Sequence, residues 1–530
     1  EVRYVSADRN VELHGHVETT SGAWDMRQEA GNAGLDGSGI GIAVLDSGVW
    51  SDHNMFGANG ITRVVVSIDF TGQGLSRSDP YGHGTHVAGL AAGGSSTGIT
   101  TAYTGIAPKA NLIDLRVLDS QGKGRTSYVL SALDWIMTNR ATFNIRVVNM
   151  SLGCLAIDSY VNDPLCLAVR RLVDAGVVCV AAAGNNGKDS NGNKQYGLIH
   201  SPGNEPSAIT VGATNTYGTE ARSDDGIASY SSRGPTRSYW TDTQGNKHYD
   251  NRLKPEIVAP GNKIYSAEAI SNALVTANPQ LDNSNITSAQ KDMMTLSGTS
   301  MATPVVAGAA ALMLQANPTL TPSLVKAILM YTAQPLAGFN MFEQGAGEVN
   351  IEGAVRLAKL VRTDLDSSTP LGAPLLTTST PPTPQSTIAG QTFNWGQGII
   401  AKYTYLTGTN LISLYQLVYG QGVLLGDGVL VSNGVLVSNG FLLSDGIMLG
   451  NSILLSNGML IGDGTAFLSC AMLLGDGILL SDGVLLGDGV VLGDAILLGN
   501  GILLGDAIAQ SSTAELNGDY GPGMPPDPCP

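Results

Sequence analysis

The sequence predicts an α/β protein with a mainly parallel sheet and helices on both faces, followed by a linker and an all-β repeat. Three observations carry this. From about residue 38 to 360, short apolar runs alternate with helix-like stretches, the signature of strands buried on both faces by crossover helices. Residues 363–390 then turn rich in Thr, Ser and Pro. From Gly422 to Asp506 the chain repeats every six residues.

Each element follows in order. Residues 1–20 read as an N-terminal extension, in which Val2–Ser6 alternates enough to be a strand. A globular domain is expected over 21–362. In it Gly39–Leu45, Val64–Ile68, Ala110–Val117, Arg146–Met150, Val177–Ala183 and Ala208–Gly212 are apolar runs of strand length. Val87–Ala92, Ser127–Asn139, Leu167–Ala175, Thr303–Gln315 and Pro322–Thr332 read as helices. Pro370, Pro374, Pro381, Pro382 and Pro384 make 363–398 an extended linker. A lead-in over 399–421 precedes the repeat domain at 422–510, and 511–530 is a tail.

The repeat has fourteen units, one of them seven residues long. The pattern is Gly, three apolar residues, Gly or Ser, then Asp or Asn. Three apolar residues suit a short strand, and the Asx-Gly step supplies a turn with positive φ. A fixed period of this kind indicates a solenoid or stacked β-structure. Eight units end in Asp and five in Asn. A calcium ladder and a plain turn preference both fit; Asn at five places lowers ligand charge and favours the turn. Positions two and four of a unit face one side and position three the other. Both sides are therefore apolar, which calls for a second layer, another subunit or a hydrophobic surface.

The net charge of −16 argues against nucleic acid as a partner. Lys402 is the last basic residue, and eleven acids follow it. The longest apolar runs fall short of the ~18 residues that a membrane span needs. The chain opens at Glu1 without Met or a signal peptide, which reads as a processed, extracellular product. Five cysteines are too few for a disulfide scaffold. Cys154 and Cys166 flank a loop that a bridge could close; Cys179 reads as a buried thiol; Cys470 and Cys529 could pair within or between chains.

Three distant strings hold the chemistry. Ala43–Val49 contains Asp46, His83–Gly89 opens on a histidine, and Gly298–Pro304 contains Ser300. A serine hydroxyl is a weak nucleophile until a base takes its proton. His83 suits that base, and Asp46 suits the group that orients it. Asp46 ends a buried strand, where a carboxylate is costly without a partner. A fourth string, Ala181–Asn186, ends in an amide, and Asn185 is the candidate donor to a developing oxyanion. His86 reads as structural and Asn186 as a turn residue.

Together these strings resemble the subtilisin-like serine peptidases over roughly residues 22–360. Asn149–Gly153 is similar to the family's substrate-pairing strand, which assigns Ser151, Leu152 and Gly153 to substrate binding, with Gly184 beside them. Leu118 to Gly124 is similar to the opposite substrate strand, which assigns Leu118, Gly122 and Gly124. Tyr230–Pro235 and Lys254–Gly261 are further family strings. The resemblance implies an endopeptidase acting on polypeptides bound as a strand, with no cofactor needed for catalysis and no catalytic metal. The family's structural calcium site is in doubt here, because Met55 stands where an acid is usual and the loop reads Gly93–Gly98. Residues 2–9 resemble the end of an inhibitory propeptide. Two functions are thus expected: a secreted serine endopeptidase whose β-repeat serves self-association or surface attachment, or a structural filament or adhesive assembly protein built on a peptidase domain.

Overall fold

The computed structural model describes residues 17–58, 61–94, 104–282, 288–365, 375–378, 381–401 and 404–407, eight short strands in the repeat, and residues 518–519. The expected strand Val2–Ser6 and the propeptide-like string lie outside these residues.

The central sheet runs Gly226–Ile227, Ile209–Asn215, Val178–Ala182, Ile145–Met150, Gly41–Asp46, Asn111–Arg116, Val64–Asp69, with Ile257–Pro260 also beside Ile209–Asn215. All neighbours are parallel except the Gly226–Ile227 edge. The strand Gly41–Asp46 is central and buried along its whole length, so Asp46 emerges at its carboxyl end among other strand ends. That end is where open α/β sheets place their sites.

Two apolar layers sandwich the sheet. Val44, Val87 and Val305 belong to one, with the helices His83–Ala92 and Thr299–Ala316. Leu45, Leu133 and Leu172 belong to the other, with Thr126–Asn139 and Pro164–Asp174. The helix Thr299–Ala316 is long and apolar enough to cross a membrane by length and composition, yet it is buried inside the domain. A helix apolar all round is a core helix when protein surrounds it.

Both site-bearing helices begin four residues earlier than periodicity predicts, and in each a side chain outside the helix caps the early turn. The helix expected at Val87 starts at His83, because Asp79 accepts from the N–H groups of Gly82 and Thr85, both at 2.8 Å. The helix expected at Thr303 starts at Thr299, because Asn185 Oδ1 accepts from Thr299 N at 3.0 Å. Orphan N–H groups at a helix start need such acceptors.

Cys154 and Cys166 are free thiols, not a bridge: Cys154 is exposed, whereas Cys166 is buried with Sγ 3.1 Å from Asn204 Oδ1. Cys179 is buried and free.

Within the span expected as a linker, Gln385–Ile388 and Gln391–Asn394 form a hairpin that is fastened to the domain. Ser386 Oγ accepts from Asn350 Nδ2 and Trp395 Nε1, and Ala389 N donates to Asp25. Further on, the eight described strands of the repeat each occupy positions two to four of a unit. Val435–Val437 pairs in parallel with Ile447–Leu449, and that strand with Met459–Ile461. Phe441–Leu443 pairs with Ile453–Leu455. These partners are two units apart, whereas Met459–Ile461 pairs with Ile478–Leu480 and Met472–Leu474 with Val490–Leu492, three units on.

The two site-bearing helices approach closely at glycines. A Cβ on Gly308 would lie 2.5 Å from Ile106 Cβ and 2.9 Å from Ala91 O. Gly308→Val is therefore expected to cost about 1–3 kcal/mol by overpacking, read as a lowered midpoint in thermal unfolding. Gly34→Ala, where a Cβ meets nothing within 4 Å, is expected to leave the midpoint unchanged.

Candidate active site

The site assembles at strand ends and helix starts. Asp46 Oδ1 lies 2.7 Å from His83 Nδ1 and also accepts from Ser47 N at 2.8 Å. The contact to Nδ1 leaves the opposite ring nitrogen, Nε2, as the one aimed away from Asp46. His83 occupies the first turn of its helix, whose start is fixed by Asp79. Asp79 also accepts from Ser47 Oγ at 2.8 Å, and Ser47 Oγ in turn accepts from Gly84 N at 2.9 Å. The loops carrying Asp46 and His83 are thereby tied together through one buried hydroxyl.

Ser300 sits in the first turn of its helix, after Gly298, which adopts an unusual φ of 152°. Pro304 has no N–H, so the Ser300 carbonyl lacks its ordinary helical donor. Ser151 Oγ fills that role at 2.7 Å, and Ser300 Oγ lies 3.2 Å from Ser151 O. The helix start is thus locked to the strand Ile145–Met150 just beyond its end.

Asn185 is oriented without ambiguity. Its Oδ1 accepts from both Thr299 N and Thr299 Oγ1 at 3.0 Å. A backbone N–H can only donate, so the oxygen must face Thr299 and the Nδ2 amide is left for other partners.

A cleft of about 290 Å³ is lined by His83, Ser300, Asn185, Leu118, Gly122, Gly124, Ser151, Leu152, Gly153 and Gly184. Every expected substrate-binding residue is therefore at the cleft, while Asp46 stands behind His83. Leu118 and Gly124 bridge across a tight hairpin, with Gly122 at φ +71° under the Tyr81 ring. Sequence reading missed Tyr81, His200 and Thr299, which also line the cleft. His200 fills the space that a Cβ on Gly153 or Gly184 would need, at 2.9 and 2.8 Å. Its Nε2 lies 2.7 Å from Asn186 Oδ1, and burial lowers its pKa to about 4. Asn186 thus holds a neutral ring against the pocket. His86 faces away, its Nε2 2.9 Å from Ile264 O.

Asp79 and Asp114 also escaped sequence reading. Asp114 accepts from Ser67 Oγ at 2.5 Å. Burial pushes its pKa up to about 7, and the Asp79 charge adds to this, against the pull of Ser67, Val49 N–H and Arg116. Among the described residues no cluster of three His, Cys, Asp or Glu side chains could hold a metal. Met55 is buried, and residues 95–98 of the loop in doubt for calcium lie outside the described residues.

The sequence profile of the subtilase family matches residues 37–353. The chain belongs to the subtilase family. It is 36% identical over 354 residues to serine protease AprX of Bacillus subtilis (strain 168), covering 65% of this chain and 73% of that protein. It is 34% identical over 343 residues to the extracellular serine proteinase of Thermus sp. (strain Rt41A), covering 63% and 66% of the two. Subtilisin E of Bacillus subtilis (strain 168) is 33% identical over 328 residues, covering 61% and 67%. A crystal structure of a cold-adapted subtilisin-like serine proteinase aligns at TM-score 0.41 and 31% identity, covering 60% of this chain and 89% of that one. The activity of this chain is that of a serine endopeptidase, and subtilases need no cofactor for catalysis.

The raised Asp114 pKa has a signed consequence for this subtilase. A carboxyl whose folded value lies above its unfolded one favours the fold fully below the unfolded value, 3.8, and that contribution is lost as pH rises through about 7. Asp114→Asn is therefore expected to show a smaller fall in melting temperature between pH 4 and 8 than the parent, measured by calorimetry. Parallel curves for the two proteins would refute it.

Proposed function

We propose that Asp46, His83 and Ser300 are the catalytic triad and that Asn185 donates to the oxyanion. The observation that carries this is the 2.7 Å contact of Asp46 with His83 behind a cleft that also holds Ser300 and the oriented amide of Asn185. His83 takes the Ser300 proton as Oγ attacks a peptide carbonyl. Asp46 keeps the proton on Nδ1 and stabilises the imidazolium. Negative charge builds on the carbonyl oxygen, where Asn185 Nδ2 and the helix N-terminus at Ser300 stabilise it. His83 then returns its proton to the leaving amine, and water resolves the acyl-enzyme by the same steps in reverse.

Leu118, Gly122 and Gly124 on one rim, and Ser151, Leu152 and Gly153 on the other, pair with an extended polypeptide between them. Gly184 and His200 close the pocket for its side chain. A secreted location is supported by the relative named as extracellular. The complete constellation favours a working peptidase over a purely structural protein.

The domain boundaries drawn in the sequence belong to this reading, with the peptidase at 21–362 and the repeat at 422–510. The parallel pairing of strands two or three units apart supports a β-solenoid. Its apolar positions on both faces support self-association.

On a peptide substrate, Asn185→Ala is expected to lower kcat by about 10²–10³ with KM little changed, while Ser300→Ala abolishes turnover and fluorophosphonate labelling. A loss confined to KM would remove Asn185 from the oxyanion role. Deleting 408–530 is expected to reduce the assembled mass in light scattering to that of a monomer, and an unchanged mass would rule out association through the repeat.

A further inference from the structure

Beyond the repeat, the chain returns to the peptidase domain at Gly518 and Asp519. The Asp519 carboxylate accepts from both the N–H and the hydroxyl of Ser229, and Lys188 Nζ stands 3.5 Å from it. Asp519 N–H donates to Asn262 Oδ1 at 2.7 Å. Asn262 is buried, and its Nδ2 donates to Asn215 Oδ1 at 3.0 Å, so its oxygen is held toward the incoming chain. Gly518 has φ +57°, and a Cβ there would lie 2.5 Å from both Asn262 Oδ1 and Ser297 Oγ. The floor is rigid: the Tyr230 hydroxyl donates to Gly261 O at 2.8 Å, and Gly187 N donates to Tyr230 O at 2.8 Å.

We infer that Ser229, Lys188, Asn262 and Ser297 form a cradle for a Gly-Asp step, and that its occupant is this chain's own Gly518–Asp519. Three features make it a binding site and not a chance surface contact. The carboxylate receives two donors from one residue and a cation from a second loop, a charge-assisted arrangement. The backbone N–H of the same residue is read separately by a pre-oriented acceptor. The preceding position admits only a residue without a side chain, in a conformation that favours glycine. The other end of the repeat is also fastened, through the hairpin at 385–394 and its bonds to Asn350 and Asp25. The segment from 408 to 517 is therefore tied to the peptidase domain at both ends. The second tie is intramolecular, so a few hydrogen bonds suffice to hold it.

The test uses the full chain carrying Ser300→Ala to stop self-cleavage, with and without Asp519→Ala. Hydrogen exchange at the Ser229 amide is expected to be about ten- to a hundredfold faster in the Asp519→Ala protein, the worth of a hydrogen bond to a charged group. The Val211 amide, inside the sheet, should exchange equally in both. Glu515 is the one glutamate after Lys402, so cleavage there by an added glutamate-specific protease reports on the same tie and should be faster in the variant. Equal exchange at Ser229 would overturn the cradle's assignment to Asp519, including the case in which a Gly-Asp step of the repeat, such as Gly426-Asp427, occupies it instead. Equal cleavage at Glu515 would overturn the anchoring.

Discussion

The freed carbonyl of Ser300 is the contact on which the rest of this molecule turns. Pro304 removes the donor that a regular helix would supply, and Ser151 Oγ replaces it at 2.7 Å. One bond thereby joins the nucleophile's backbone to the rim that pairs with substrate. The helix behind Ser300 has no freedom to compensate, because it is buried from Thr299 to Leu314. Asn185 joins the same assembly from a third strand end by accepting from Thr299. Nucleophile, oxyanion donor and substrate rim are set against one another by groups that spend their hydrogen-bonding capacity on each other, which is how a site is held rigid on a scaffold.

The acid side of the site follows a different logic. Asp46 is backed by Asp79 and Asp114, both buried. Buried carboxylates repel one another and lose hydration, so their presence needs a structural return. Asp79 supplies it by starting the His83 helix and holding Ser47. Asp114 supplies it by accepting from Ser67 Oγ on the neighbouring strand. Burial and the nearby Asp79 charge raise the Asp114 pKa to about 7.

The parts of this arrangement that the sequence displays are those where chemistry dictates residue type within a short string. Asp46, His83, Ser300 and Asn185 each sit among small residues at the end of a strand or the start of a helix, and the strands were visible as apolar runs. The helix starts at His83 and Thr299 lie ahead of the apolar periodicity and depend on side chains outside the helix, Asp79 just before it in one case and the remote Asn185 in the other. His200 was hidden for a related reason. Nothing in Ile199-His200-Ser201 marks a pocket wall; Gly153 and Gly184, remote in sequence, make room for the ring. The hairpin at 385–394 was masked by its Pro- and Thr-rich surroundings, although Trp395 is buried against the domain.

A fastened repeat changes how the two halves of the chain relate. A tail on one flexible tether samples a wide volume, and each doubling of its length costs little entropy. A segment tied at both ends, as inferred for 408–517, gives up part of that freedom. The second tie is made by Ser229 and Asn262, with Lys188, three residues past Asn185, beside the carboxylate.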